Sequence, residues 1–165
     1  MEKIFATHGF KPAIDKDSEI LILGSFPSVL SRRDAFFYMH PKNRFWQILA
    51  TIYQDDFLNP DISVRKKLLK KHHLALYDVI EACSITGSAD SSIEAVVPAD
   101  IGSLVKGTRI EKILINGQKA WDLFQKYDRE LMDIAYCLPS TSPANARFSL
   151  DKLITIWQDA LTGRE

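Results

Sequence analysis

Apolar residues along the chain fall into two rhythms. Four short runs, at 19–23, 74–77, 112–115 and 133–138, are nearly continuous in Ile, Leu and aromatic residues and lack alternation of period two. That pattern suits strands of a sheet covered on both faces. Between them lie segments of helical spacing. Phe45, Ile48, Leu49 and Ile52 share one face over 44–54, and Ala120, Trp121, Phe124 and Tyr127 do so over 118–127. Leu153, Ile154, Trp157 and Leu161 repeat the spacing over 150–161. Asn59-Pro60 ahead of 61–72 reads as a capped helix start with Pro in the first turn. Strands alternating with helices predict an α/β fold, a three-layer α/β/α sandwich around a central four-stranded, mainly parallel sheet. Functional groups in such sheets gather in loops beyond the carboxyl ends of the strands. Those loops, 24–43, 78–90, 116–118 and 139–147, are also the least generic parts of the sequence.

Composition narrows the class. The 165 residues are 46% hydrophobic and 25% charged, the balance of one globular domain able to bury a core. No apolar run approaches the roughly 20 residues of a membrane span. Residues 1–10 carry charge and lack the apolar centre of a secretory leader, so a cytoplasmic, nucleoid-associated protein is expected. Cys83 and Cys137 stand far apart without CxxC spacing and read as two buried thiols, too few for a metal or iron–sulfur site. Lys plus Arg equals Asp plus Glu, 21 each. Strong non-specific nucleic-acid binders are usually basic, so the total weighs against that class, and distribution matters more. Lys66, Lys67, Lys70 and Lys71 read as the solvated face of a helix. Arg32, Arg33, Lys42 and Arg44 flank the most unusual stretch of the chain.

Three segments offer chemistry. Gly24-Ser25-Phe26-Pro27-Ser28 follows the first predicted strand, with Gly for a tight exit and Pro to stiffen the return. Phe26 is either a stacking platform for a planar base or a loop aromatic folded back on the core. In His40-Pro41-Lys42-Asn43-Arg44-Phe45-Trp46, Pro41 disfavours helix at His40, so the helix begins near Asn43, a good N-cap. Phe45 and Trp46 are core anchors, and Lys42 and Arg44 either hold phosphates or are solvated. Leu138-Pro139-Ser140-Thr141-Ser142-Pro143-Ala144-Asn145-Ala146-Arg147 makes a stiff loop, suited to gripping phosphates and wedging a duplex, or else an ordinary turn. Asn116-Gly117 is a turn signal or presents Asn116 to a base edge. Asp78 is a helix cap or an active-site carboxylate. Of four histidines, His72 and His73 sit at a helix end, His8 is isolated, and only His40 lies in a candidate site. No phosphate-binding P-loop, Ser/His/Asp order or paired-carboxylate motif is present.

Taken in order, ILILGSFPS, HPKNRFW, ALYDV, GSADSSI, ING and LPSTSPANA resemble the uracil-DNA glycosylase superfamily, and within it the hypoxanthine-DNA glycosylase branch, along almost the whole of 1–165. Mismatch-specific uracil glycosylases share a segment like 40–46, but carry a water-positioning Asn after the first strand where this chain has Phe26. In the hypoxanthine branch the catalytic Asn belongs to the His-Pro-x-Asn-Arg-Phe-Trp segment, which is Asn43 here.

The resemblance implies a monofunctional DNA glycosylase that removes deaminated bases, hypoxanthine foremost, from a single domain acting as a monomer on DNA. Asn43 would aim the water. Gly24, Ser25, Phe26, Pro27, His40 and Asn116 would bind the extruded base. Arg44, Ser140, Ser142, Pro143, Asn145 and Arg147 would hold the strand. No metal or organic cofactor and no membrane contact is expected, and no lysine is evidently placed for a Schiff base. Three rivals remain open. One is a uracil or mismatched-thymine glycosylase, and another is a catalytically silent nucleic-acid-binding α/β module. The third is a small-molecule hydrolase using Asp78 and His40, which requires the two to lie within hydrogen-bond reach.

Overall fold

Leu21, Ile22 and Leu23 are wholly enclosed, as are Ala75, Leu76, Ile113, Leu114 and Ile115. These near-continuous apolar runs form the centre of a sheet covered on both sides. The structure, a computed structural model, describes residues 1–163. In chain order its elements are β1 (Lys3–Thr7), β2 (Ile20–Gly24), α1 (Val29–Asp34), α2 (Phe45–Tyr53), α3 (Ile62–Lys71), β3 (Leu74–Asp78), β4 (Ile80–Thr86), β5 (Glu94–Pro98), α4 (Ile101–Val105), β6 (Lys112–Asn116), α5 (Gln118–Tyr127), β7 (Ala135–Leu138) and α6 (Leu150–Thr162).

The main sheet has the order β3-β2-β6-β7, and every pairing in it is parallel. Ile20 lies opposite both Leu74 and Lys112, so β3, β2 and β6 run in step and end together at Gly24, Asp78 and Asn116. The chain leaves β2 for β3 on one side, then crosses to β6 on the other. The loops after β2 and β6 therefore diverge and open a crevice at the switch point. Helices cover the sheet as outer layers, with α3 against β3, α5 against β6 and β7, and α2 packed on α6, giving an α/β/α sandwich. Two buried indoles tie the core to the loops above: Trp46 Nε1 donates to the Phe37 carbonyl and Trp157 Nε1 to that of Pro139, each at 3.1 Å.

Several expectations are corrected. The last strand begins at Ala135, because Arg129–Ile134 winds as a 3-10 turn. As an edge strand β7 is only partly covered, with Tyr136 and Cys137 exposed, so only Cys83 is a buried thiol. Pro60 lies outside its helix, because Asp61 caps α3 by accepting from the Ser63 amide. A second, antiparallel sheet of order β1-β4-β5 is absent from the expected plan. Its outer strand β1 is exposed along most of its length, so no apolar pattern marks it. Helices α1 and α4 have six and five residues, too short for a period to show.

Candidate active site

Beyond the carboxyl ends of the parallel strands lies a cavity of about 560 Å³, within the usual range for ligand sites. Gly24–Ser28 after β2, Asp78 at the end of β3, Asn116 at the end of β6 and Ser140–Ala144 after β7 supply its walls. Tyr38, His40 and Asn43, from the segment joining α1 to α2, face it from one side, and Ser88–Ser91 after β4 from another. The loops are tied together: Ser28 caps α1 by accepting from the Ser31 amide, and Val29 N–H donates to Ser88 Oγ.

The floor is built around Gly24. A Cβ there would sit 2.6 Å from Asp78 Oδ1 and 3.1 Å from the Tyr38 hydroxyl, so a side chain at this position would displace both. Asp78 is buried, and its Oδ2 lies 2.7 Å from His8 Nε2. The other ring nitrogen, Nδ1, donates to the Phe10 carbonyl at 3.1 Å. The Tyr38 hydroxyl is closed off from solvent without a well-formed hydrogen bond. Burial and the neighbouring Asp78 push its ionisation far above the usual phenol range, so it stays a donor. Tyr38 also adopts a left-handed backbone (φ 54°), a conformation that bulky residues rarely accept.

One wall carries a relay of three side chains. Asn116 Oδ1 accepts from the Thr141 amide, and its Nδ2 donates to Thr141 Oγ1, both at 3.0 Å. Thr141 Oγ1 donates onward to Asn43 Oδ1 at 2.8 Å. That same oxygen accepts from the Phe45 amide at 3.0 Å, across the start of α2, whose N-cap is Arg44 rather than the expected Asn43. Both lone pairs of Asn43 Oδ1 are therefore engaged, which fixes the orientation of its amide. Its Nδ2 donates to no protein group among the described residues, and Asn43 lines the cavity half-buried.

All six expected base-binding residues line this cavity, though several with altered duties. Ser25 Oγ donates to Asp90 Oδ1 at 2.7 Å. The Asp90 carboxyl, set into the cavity wall, is pushed upward mainly by loss of hydration. Phe26 is 8% exposed: its ring packs on Ile80, Cys83, Ile85 and Ile93 and also lines the cavity, so it serves core and site together. The amides of Phe26 and Ser28 have no acceptor among the described residues. His40 Nδ1 accepts from the Lys42 amide at 3.1 Å, which leaves the proton of the neutral ring on Nε2. Asn116 lines the cavity with its Oδ1 and Nδ2 each bonded once to Thr141.

The 139–147 loop is internally satisfied. Ser140 Oγ accepts from the Ser142 amide, Ser142 Oγ from that of Ala144, and Asn145 Nδ2 donates to the Ser140 carbonyl. Arg44 is not free to meet a phosphate, because its guanidinium donates to the carbonyls of Phe148, Ser142 and Asn145 at 2.6–3.0 Å. Arg32 donates to the Gly87 carbonyl and Arg33 pairs with Asp34. Among the described residues Lys42 and Arg147 stand exposed without an ionic partner. Pro143 and Ala144 form the exposed tip of the loop and line the cavity, whereas Asn145 and Arg147 stand outside it.

Sequence reasoning missed His8, Tyr38, Thr141 and Asp90. His8 and Asp78 are 70 residues apart, and only the pairing of β1 with β4 brings the end of β1 over β3. The small-residue run around Asp90 was a readable signal in 87–93. Asp78 and His40 share the cavity, yet no hydrogen bond joins them and Asp78 Oδ2 is bonded to His8 instead, which removes the geometric ground for a hydrolase built on that pair. Among the described residues no group of three or more His, Cys, Asp or Glu side chains is arranged to hold a metal.

Residues 12–161 match the profile of the uracil DNA glycosylase superfamily. A hypoxanthine DNA glycosylase of Methanosarcina barkeri is 33% identical over 156 residues, covering 92% of this chain and 96% of that protein. One from Methanosarcina acetivorans is 34% identical over 148 residues, covering 87% and 91%. The solution NMR structure of a candidate uracil DNA glycosylase from Methanosarcina acetivorans superposes with a TM-score of 0.82 at 31% identity, covering 96% of this chain and 97% of that one.

Proposed function

The chain belongs to the uracil DNA glycosylase superfamily, and on that premise we propose that it is a monofunctional glycosylase hydrolysing the N-glycosidic bond of deaminated bases in DNA, hypoxanthine foremost. The observation that carries this reading is an immobilised amide, Asn43, on the wall of a cavity roomy enough for a nucleobase, at the switch point of the parallel sheet. The names borne by the Methanosarcina relatives favour hypoxanthine within the class.

The reaction has three demands. The target nucleotide must leave the stack, since its sugar carbon is out of reach in a duplex. A water must meet C1′. The departing base must have its growing negative charge stabilised by fixed donors. Asn43 serves the second demand as a donor. With Oδ1 engaged, Nδ2–H takes one lone pair of the water, and the other faces C1′. An amide is no base, which suits a transition state in which bond breaking leads and the sugar is already cation-like. The unpartnered amides of Phe26 and Ser28 serve the third demand. Phe26 lies against the base, the satisfied 139–147 loop supports the strand, and Lys42 and Arg147 meet phosphates. No lysine lines the cavity among the described residues, which favours hydrolysis without a Schiff base and hence without strand scission. We take the protein to act as a monomer on DNA.

The test is a panel of duplex oligonucleotides, each holding one deoxyinosine, deoxyxanthosine or deoxyuridine. The reading predicts hypoxanthine release, with strand breaks only after alkali. No release from any member contradicts it, and faster release of uracil than of hypoxanthine reverses the preference.

A further inference from the structure

Asp78 is the most enclosed carboxyl group in the cavity, and its hydrogen-bond polarity is set by its neighbour. A carbonyl only accepts, so the bond to Phe10 places a proton on His8 Nδ1. Two proton arrangements then remain for the 2.7 Å contact between His8 Nε2 and Asp78 Oδ2. Either an imidazolium donates to a carboxylate, or a carboxylic acid donates from Oδ2 to a neutral ring. In both, Oδ1 is an acceptor. It has no partner among the described residues, it borders the cavity, and the absence of a Cβ at Gly24 leaves the space above it open. The floor thus presents an acceptor to the cavity, the complement of the N–H of a lactam edge.

We propose that Asp78 is a specificity-determining residue whose Oδ1 accepts the N1–H of the extruded base. The proposal rests on the glycosylase reading above. A purine held with its sugar beside Asn43 points its opposite, Watson–Crick edge toward the deepest part of the cavity, where Asp78 lies. Adenine carries a lone pair at N1. Deamination replaces the C6 amino group by a carbonyl and puts a hydrogen on N1. Asp78 therefore meets a donor in hypoxanthine and a repelling lone pair in adenine. A site built to accept a hydrogen rejects strongly the ligand that lacks it, because its own buried group is left unpaired.

The test compares single-turnover release of hypoxanthine and of 1-methylhypoxanthine from otherwise identical duplexes, using wild type and Asp78→Ala. The methyl group removes N1–H while leaving O6 and the leaving group in place. Wild type is expected to release hypoxanthine faster than the methylated base by about tenfold or more. Asp78→Ala is expected to slow hypoxanthine release by a similar factor. It also opens room for the methyl group, so the preference shrinks or inverts. A purely structural role for Asp78 would slow both substrates alike, and an unchanged ratio overturns the proposal. Equal release of the two bases by wild type overturns it without any variant, whether or not Asp78→Ala folds. If wild type releases neither hypoxanthine nor any other base, the glycosylase reading itself has failed, and the proposal falls with it.

Discussion

Phe26 holds two positions at once. Four apolar side chains of the second core cluster pack against its ring, the Arg32 guanidinium lies 5.3 Å from the ring centroid, and part of the ring still borders the cavity. Truncation to Ala would therefore cost about 3–5 kcal/mol of stability and obscure any effect on the reaction. Phe26→Leu keeps an apolar filling and removes the flat face. It is expected to slow hypoxanthine release by about tenfold, given roughly 1–3 kcal/mol per stacked base, with only a small change in melting temperature. An unchanged rate would assign Phe26 to the core alone. At this scale local roles were legible. Pro41 places the helix start near Asn43, and the cap falls one residue later, at Arg44, with Asn43 Oδ1 accepting from the Phe45 amide just inside it. Its bond to Thr141 spans 98 residues and the link from Thr141 to Asn116 spans 25, and no local pattern reports such partners.

At the scale of elements, the two arginines at the ends of the site divide their labour. Arg44 latches the 139–147 loop through the carbonyls of Ser142 and Asn145, with a third bond to Phe148 just beyond it, whereas Arg147 is exposed outside the cavity. Arg44→Ala is expected to make that loop sensitive to limited proteolysis and to lower the release rate, with little change in the salt dependence of DNA binding. Arg147→Ala should leave the loop resistant and reduce the salt slope by about one. The opposite pattern would return Arg44 to phosphate binding. A second element-level device sits where α5 ends. Asp128 is buried with Oδ2 unpartnered, and loss of hydration, with Glu130 and Asp100 nearby, pushes its carboxyl up to about 7. The unfolded chain releases this proton near pH 4, before the folded one does, so stability falls between about pH 4 and pH 7 and then levels off. Asp128→Asn should raise the melting temperature by several degrees at pH 8 and leave it nearly unchanged at pH 4.5. Equal effects at both pH values would contradict the assignment. Elements buried on both faces, β2, β3 and β6, read directly from their apolar runs. The antiparallel sheet did not, because β1 and β5 are largely exposed and β4 is irregular in register against β5.

Over the whole molecule, a net charge of zero coexists with a site expected to face a polyanion. Several basic side chains near the site are spent inside the protein, Arg32 on Gly87, Arg33 on Asp34 and Arg44 on the loop. Few cations are then left for phosphates, which fits a shallow salt dependence. The parallel topology could be inferred from strands alternating with helices, and with it the face on which the site would lie. The depth of the cavity and its closed floor could not, because they depend on β1 and β4 carrying His8 over Asp78. The claim on which the account turns is that the Asn43 amide, locked by Thr141, serves the chemistry rather than only the helix. Single-turnover release from a duplex holding one deoxyinosine, measured for wild type and Asn43→Ala, addresses it most directly. The account predicts a fall of about a hundredfold or more while the melting temperature drops by only about 2–4 °C, the cost of about one lost hydrogen bond at the helix start. Near-wild-type release by a folded Asn43→Ala protein would contradict it.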